Sequence, residues 1–232
     1  MARKKIVFVI VEGASDEEAL GVILERYFDK NTVYLHIMHC DITSENGSTL
    51  NNITNKISEV VRRYANHIFK PSDFCRIIHI TDTDGTFIPD DKIIENTQIE
   101  KPIYSTTEIT APNKKNIEER NRKKSAILHR LSITPKIWKI PYQIYYMSCN
   151  LDHVLYNKLN SSDIDKRNDA YGFAKLYKDD TQNCVKFFTK SDFSVVDDYK
   201  QSWEYIEKDL HSLERHTNFG LCFEKNSDND KN

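Results

Sequence analysis

Residues 6–11 read Ile-Val-Phe-Val-Ile-Val, an unbroken apolar and largely β-branched run that stops at Glu12-Gly13. A run without polar alternation fits a strand covered on both faces, as in a parallel sheet between helices. Gly13 makes the turn. Ser15 or Asp16 can cap the next helix, and Asp16, Glu17 and Glu18 load its first turn against the helix dipole. Ala19, Leu20, Ile23, Leu24 and Tyr27 then recur at helical spacing. Residues 32–40 alternate well enough for a second strand, and 41–47 form a polar loop. Residues 48–69 read as a long amphipathic helix through Leu50, Ile53, Ile57, Val60, Val61 and Tyr64, with Pro71 beyond its end. Residues 74–81 give a third strand. The β-α-β-α-β order predicts an α/β, Rossmann-like fold with a mostly parallel central sheet and right-handed crossovers.

The regularity breaks after Asp84. Residues 85–140 contain Pro89, Pro102, Pro112 and Pro135, many polar residues and one basic helix-like stretch, which reads as an insertion. A fourth strand is expected at 142–148 and helices at 151–159, 170–178 and 199–215. The whole is expected to be a single domain over 1–224, with its core at about 4–84 and 140–224, the insertion at about 85–140, and a disordered polar tail at 225–232.

Several functional classes are disfavoured by composition. The 232 residues are 39% apolar and 29% charged, and no apolar run approaches the ~20 residues needed to span a bilayer. The first apolar stretch is too short for a secretory leader and no small-residue cleavage site follows it, so a cytoplasmic protein without membrane partners is expected. Cys40, Cys75, Cys149, Cys184 and Cys222 are dispersed without a CxxC pair, against both a disulfide framework and structural zinc. His36, His39 and Cys40 lie close together, but on a strand His39 faces away from the other two. The net charge is −2, so any affinity for nucleic acid must come from a local basic patch.

Two acidic motifs carry the chemistry. Glu12 ends the first strand and Asp16 opens the following helix, so both can face one crevice. Asp82 and Asp84 flank a single residue at the end of the third strand, so both can point the same way. Carboxylates at the C-terminal ends of neighbouring parallel strands converge on the crevice where such sheets bind ligands. Their hard oxygens suit Mg²⁺ or Mn²⁺, which would polarise a phosphoryl oxygen and activate water. Each motif alone has a plain structural reading. Asp16 to Glu18 make a good helix start, and Asp-x-Asp-Gly is an ordinary turn.

With these residues in place the chain resembles the Toprim family, in which one strand ends in Glu-Gly and a later one in Asp-x-Asp. Val11, Glu12, Gly13, Ser15, Asp16 and Leu20 look most like the OLD-type, phage-defence branch. The resemblance covers residues 5–85 well and 140–160 loosely. It implies a metal-dependent nuclease acting on DNA or RNA. Glu12 would be acid/base or metal ligand, Asp82 and Asp84 would bind the ion, and Asp16 would join them. It also implies an acidic element after the fourth strand, matched by Asn150-Leu151-Asp152; Asn150 departs from it, leaving Asp152 as the candidate ligand. OLD-type nucleases are fused to an ATPase. This chain has no P-loop sequence, so a separate ATPase subunit is the expected partner, alongside self-association.

Lys114, Lys115, Arg120, Arg122, Lys123, Lys124 and Arg130 form the basic stretch and are the candidate contacts to a phosphate backbone. A solvated helix face is the plain alternative. Lys175, Lys186 and Lys190 are further candidates for stabilising a transition state, with nothing in the sequence to select among them. His129 has no assignable role, and His153 could assist proton transfer or simply pack. Two competing functions stay open. Asp82-Thr83-Asp84-Gly85-Thr86 also matches the first motif of haloacid-dehalogenase-like phosphatases, with Asp82 as nucleophile and Asp84 as acid/base. Ser148, Lys175 and Asp197-Asp198 would then supply the later motifs. A Toprim-like subunit that binds without cutting is the other.

Overall fold

The computed structural model describes residues 4–223; the tail expected at 225–232 lies outside the described residues. Five strands form the central sheet: β1 (Lys5–Val11), β2 (Val33–His39), β3 (Phe74–Asp82), β7 (Lys136–Ile137) and β8 (Ile140–Met147). Between and after them run α1 (Ala14–Tyr27), α2 (Ile53–Ala65), α3 (Lys114–Ser132), α4 (Leu151–Tyr156), α5 (Asp163–Tyr177), α6 (Thr181–Lys190) and α7 (Tyr199–Ile206). A small second sheet within 85–140 is built from β4 (Ile93–Glu95), β5 (Ile103–Tyr104) and β6 (Ile109–Ala111).

The central order is β2-β1-β3-β8-β7. β1 pairs in parallel with β2 and β3, and β3 pairs in parallel with β8; only the two-residue β7 runs antiparallel. The fold is therefore α/β with a mostly parallel sheet flanked by helices. The chain steps from β1 outward to β2, then back across to β3, so strand order reverses between β1 and β3. That reversal opens a crevice beyond their carboxyl ends.

The doubly covered strands explain the apolar run. Val7, Val9 and Val11 face one way, with Ile78, Ile80, Tyr145 and Met147, and pack under α1, α4, α5 and α6. Ile6, Phe8 and Ile10 face the other way, with Ile77, Tyr142, Ile144 and Tyr146, and pack under α2, α3 and Trp203 and Ile206 of α7. Period-2 alternation is present in space but invisible in the sequence, because both faces are apolar.

Several boundaries differ from expectation. α2 is shorter than 48–69: residues before Ile53 form turns, where Thr49 N–H donates to Asn52 Oδ1 at 2.8 Å. α5 begins at Asp163, ahead of the expected 170, because Ser162 and Asp165 form a capping box. α7 ends at Ile206, well short of 215. The helix at Thr181–Lys190 was not expected; Asp180 caps it by accepting the Asn183 N–H at 3.2 Å. All five cysteines are free thiols, three of them buried. Among the described residues no helix is long and apolar enough to cross a membrane.

Candidate active site: carboxylates around a buried lysine

The C-terminal ends of β1 and β3 deliver the two acidic motifs to the same crevice. Gly13 is the N-cap of α1, and its N–H donates to Asp16 Oδ2 at 2.6 Å, folding the Asp16 carboxylate back over the strand tip. At the end of β3, Thr83 N–H donates to Met147 O at 2.9 Å, and Thr83 Oγ1 accepts from Cys149 N at 2.8 Å. Asp84 and Gly85 then take left-handed backbone angles, φ 50° and 63°. Aspartate tolerates that region and glycine prefers it. A side chain at Gly85 would also strike Leu213, since an added Cβ would lie 2.5 Å from its Cδ2.

A cleft of about 470 Å³ opens over these ends. Glu12, Asp16, Glu18, Asp41, Asp82, Asp152 and Asp163 line it as acids, and Lys166 and Arg167 of α5 line it as cations. Three donors converge on one oxygen of Glu12: Thr81 Oγ1 at 2.5 Å, Thr43 Oγ1 at 3.3 Å and Lys124 Nζ at 3.5 Å, all to Oε1. Among the described residues none addresses Oε2, and Asp82 makes no ion pair or side-chain hydrogen bond.

Lys124 is where sequence and structure part most sharply. Grouped with the surface basic residues on sequence, it is only 2% exposed and reaches inward from α3. Its ammonium donates to Asp84 Oδ2 at 2.5 Å and lies between that carboxylate and Glu12. Arg120 also turns inward, donating to the Asp84 carbonyl at 2.8 Å and to the Tyr104 hydroxyl at 2.6 Å. Lys114 pairs along its own helix with Glu118. Only Lys115, Arg122, Lys123 and Arg130 are exposed, and no α3 residue lines the cleft.

Burial dominates the electrostatics. It raises the Glu12 carboxyl to about 7, against the pull of Lys124 and with the repulsion of Asp84. It raises Asp16 to about 6, opposed by the Gly13 N–H. Asp82 is held well above the usual carboxylate range by burial and then by the charges of Glu12, Asp16 and Asp84. For Asp84 burial pushes upward too, but Lys124 and Arg120 outweigh it and the net shift is downward. Burial would lower Lys124; Asp84 and Glu12 reverse that, and it stays an ammonium.

Lys124 bridges Glu12 and Asp84, and Asp82 lines the same cleft as Glu12. Yet among the described residues no three His, Cys, Asp or Glu side chains are gathered tightly enough to hold an ion as they stand. The expected ligands share one neighbourhood; they do not form a closed cage. Asp152 is buried on α4 at the cleft wall, its carboxyl raised by burial and eased by Lys166. Asn150 has a structural task instead of an acidic one. Its Oδ1 caps α4 by accepting the His153 N–H at 2.9 Å.

Other candidates are placed elsewhere. His36 stacks on Tyr64 at 3.8 Å, and His39 Nδ1 lies 3.2 Å from Glu17 Oε2. His129 faces Glu207, and His153 is buried and kept largely neutral, lowered to about 4 by burial. Lys175 lines a separate groove with Glu17 and Glu18, and Asp198 caps α7. Sequence reading passed over Lys166, Arg167, Asp41 and the threonines Thr43 and Thr81. The one available signal was position: Thr81 directly precedes Asp82.

The raised Glu12 carboxyl sets a pH dependence. Between its unfolded value and about 7 the folded chain keeps a proton there that the unfolded chain has lost. Its contribution to stability is therefore full at low pH and lost as pH rises through about 7. His79 and His153, lowered by burial to about 3 and about 4, act in the opposite sense. The informative readout is a difference between two proteins. In chelator, Glu12→Gln should match the wild type below pH ~4.5 and gain melting temperature relative to it up to pH 8. A difference that shrinks with rising pH would contradict this.

Comparison with family models, with curated proteins and with solved structures gives no match.

Proposed function

We propose that this chain is a Toprim-like, divalent-metal-dependent nuclease that hydrolyses phosphodiester bonds in DNA or RNA. The observation that carries the reading is the cleft itself. It holds Glu12, Asp16 and Asp82 at the strand-order reversal, and Lys166 and Arg167 of α5 line it too. The donor set fits a hard ion: all are carboxylate oxygens, Glu12 Oε2 and Asp82 have no protein donor among the described residues, and burial leaves these groups short of positive charge. Mg²⁺ or Mn²⁺ would be held by Glu12, Asp16 and Asp82, with Asp152 at the margin, and would supply Lewis-acid polarisation and a more acidic water.

The chain's own groups do the rest. Glu12, near 7, can accept and return a proton on Oε2 at neutral pH. Thr81 and Thr43 fix its carboxylate plane through Oε1. Lys166 and Arg167 are placed to pair with phosphate oxygens entering the cleft. The exposed Lys115, Arg122, Lys123 and Arg130 offer a second phosphate-facing strip outside it. An ATPase partner acting with this chain in phage defence is part of the proposal. So is self-association.

The test is cleavage of single- and double-stranded DNA and RNA by the purified chain in Mg²⁺, in Mn²⁺ and in chelator, with and without a candidate ATPase. Cleavage in metal and none in chelator is the expected result. Failure on every substrate would leave a binding subunit. The cationic wall makes a separate prediction. Lys166→Ala and Arg167→Ala should each weaken nucleic-acid binding, measured by fluorescence anisotropy, across all sequences. Each should also reduce the slope of log affinity against log salt by about 1. An unchanged slope would remove these residues from the phosphate path.

A further inference from the structure

The buried ammonium of Lys124 lies where two of the carboxylates meet. It comes from α3, inside the 85–140 segment, and crosses to the ends of β1 and β3. There it takes Asp84 Oδ2 and Glu12 Oε1 together. It is 2% exposed, against 14% for the Glu12 side chain and 30% for Asp84. Asp84 is further tied down through its carbonyl by Arg120, which is itself fixed by Tyr104 and by Asn121 Oδ1 at 2.7 Å. The cleft wall includes Glu12, Asp16 and Asp82 but not Asp84. The four carboxylates are thus divided. Asp84 and one oxygen of Glu12 are already paired with a side-chain cation, whereas Asp16 and Asp82 line the cleft without an ion pair among the described residues.

We propose that Lys124 is the built-in cation of this site. It occupies the place of one divalent ion between Glu12 and Asp84, so that the site takes a single exchangeable ion at Glu12, Asp16 and Asp82. The inference rests on the metal-site reading above and narrows it. Of the two aspartates in Asp82-Thr83-Asp84, only Asp82 is an ion ligand; Asp84 holds the lysine. A tethered ammonium has a fixed charge of +1 and cannot be removed by chelation. It keeps Glu12 and Asp84 from repelling each other while the exchangeable position is empty. A second ion could enter only if Lys124 withdrew into a core that offers it no other carboxylate within 4 Å among the described residues.

The experiment is a Mn²⁺ titration of the full chain, freed of metal by chelator, with free Mn²⁺ followed by electron paramagnetic resonance and melting temperature followed in parallel. The wild type should bind one Mn²⁺ per chain, and Asp82→Asn should abolish it. Asp84→Asn should still bind one, with affinity within about threefold of the wild type. Lys124→Met should bind two, and Mn²⁺ should raise its melting temperature more than it raises that of the wild type. Two ions on the wild type overturn the proposal without any variant. So does loss of the single ion in Asp84→Asn, or one ion with unchanged affinity in a folded Lys124→Met. Nuclease activity is scored separately. One bound Mn²⁺ with no cleavage of any substrate would sink the nuclease reading and leave Lys124 in its place; cleavage with two bound ions would do the reverse.

Discussion

Replacing Glu12 by Gln should lower Mg²⁺-dependent cleavage about 10²–10⁴-fold, the usual worth of a positioned acid/base group. The substitution keeps the shape of the side chain, and the amide oxygen can still accept from Thr81 and Thr43. What it removes is the charge facing the cleft and the proton that Glu12 exchanges near neutral pH. Asp82→Asn should lose at least as much, because Asp82 lines the cleft and makes no ion pair or side-chain hydrogen bond among the described residues. The two variants also separate the nuclease from the phosphatase. A haloacid-dehalogenase-like mechanism would use Asp82 as nucleophile and give Glu12 no task, so it would tolerate Glu12→Gln while failing with Asp82→Asn. The structure offers that mechanism little support among its later motifs, since Lys175 lies in another groove and Asp198 caps a helix. Initial rates on a fluorescent oligonucleotide and on a phosphomonoester, for wild type and both variants, distinguish the cases. Full nuclease activity in Glu12→Gln would end the assignment of Glu12.

The sheet was legible because its physics is local. An apolar run, a glycine turn and an acidic first helical turn are enough to place β1 and α1, and the same grammar places β2 and β3. The meeting of Glu12 with the Asp82 pair followed from parallel topology. The helix Thr181–Lys190 is only ten residues long, with Cys184 and Phe188 on its buried side, and Phe188 joins a cluster with Phe173 and Phe219. The larger miss was Lys124. It stands amid Arg122, Lys123 and Arg130, so charge counting assigned it to the surface. Helical register would have assigned it otherwise: Ile117, Asn121, Lys124, Ile127, Leu128 and Leu131 share the buried side of α3. A lysine inside an apolar stripe needs a buried anion to answer it, and two were already in hand at Glu12 and Asp84. Lys166 and Arg167 were missed for a different reason. Nothing in a capped amphipathic helix says which way its polar face looks until the helix is docked.

Lys124→Met should be the most destabilising single change at this site. Removing one partner of a buried ion pair typically costs about 3–5 kcal/mol, because the charge left behind has lost both water and its counterion. For a chain of this length each kcal/mol shifts the melting temperature by about 2–4 °C, so a fall of roughly 10 °C is expected in chelator. The loss belongs to the stranded carboxylates more than to the lysine, and that is testable. Adding Glu12→Gln and Asp84→Asn to Lys124→Met removes the charges that need an answer and should recover most of the fall. Lys123→Met, one residue away and exposed, should stay within about 0.5 kcal/mol of the wild type. If Lys124→Met melts like Lys123→Met, the ammonium does not hold Glu12 and Asp84 together, and the chain must balance those buried charges in some other way.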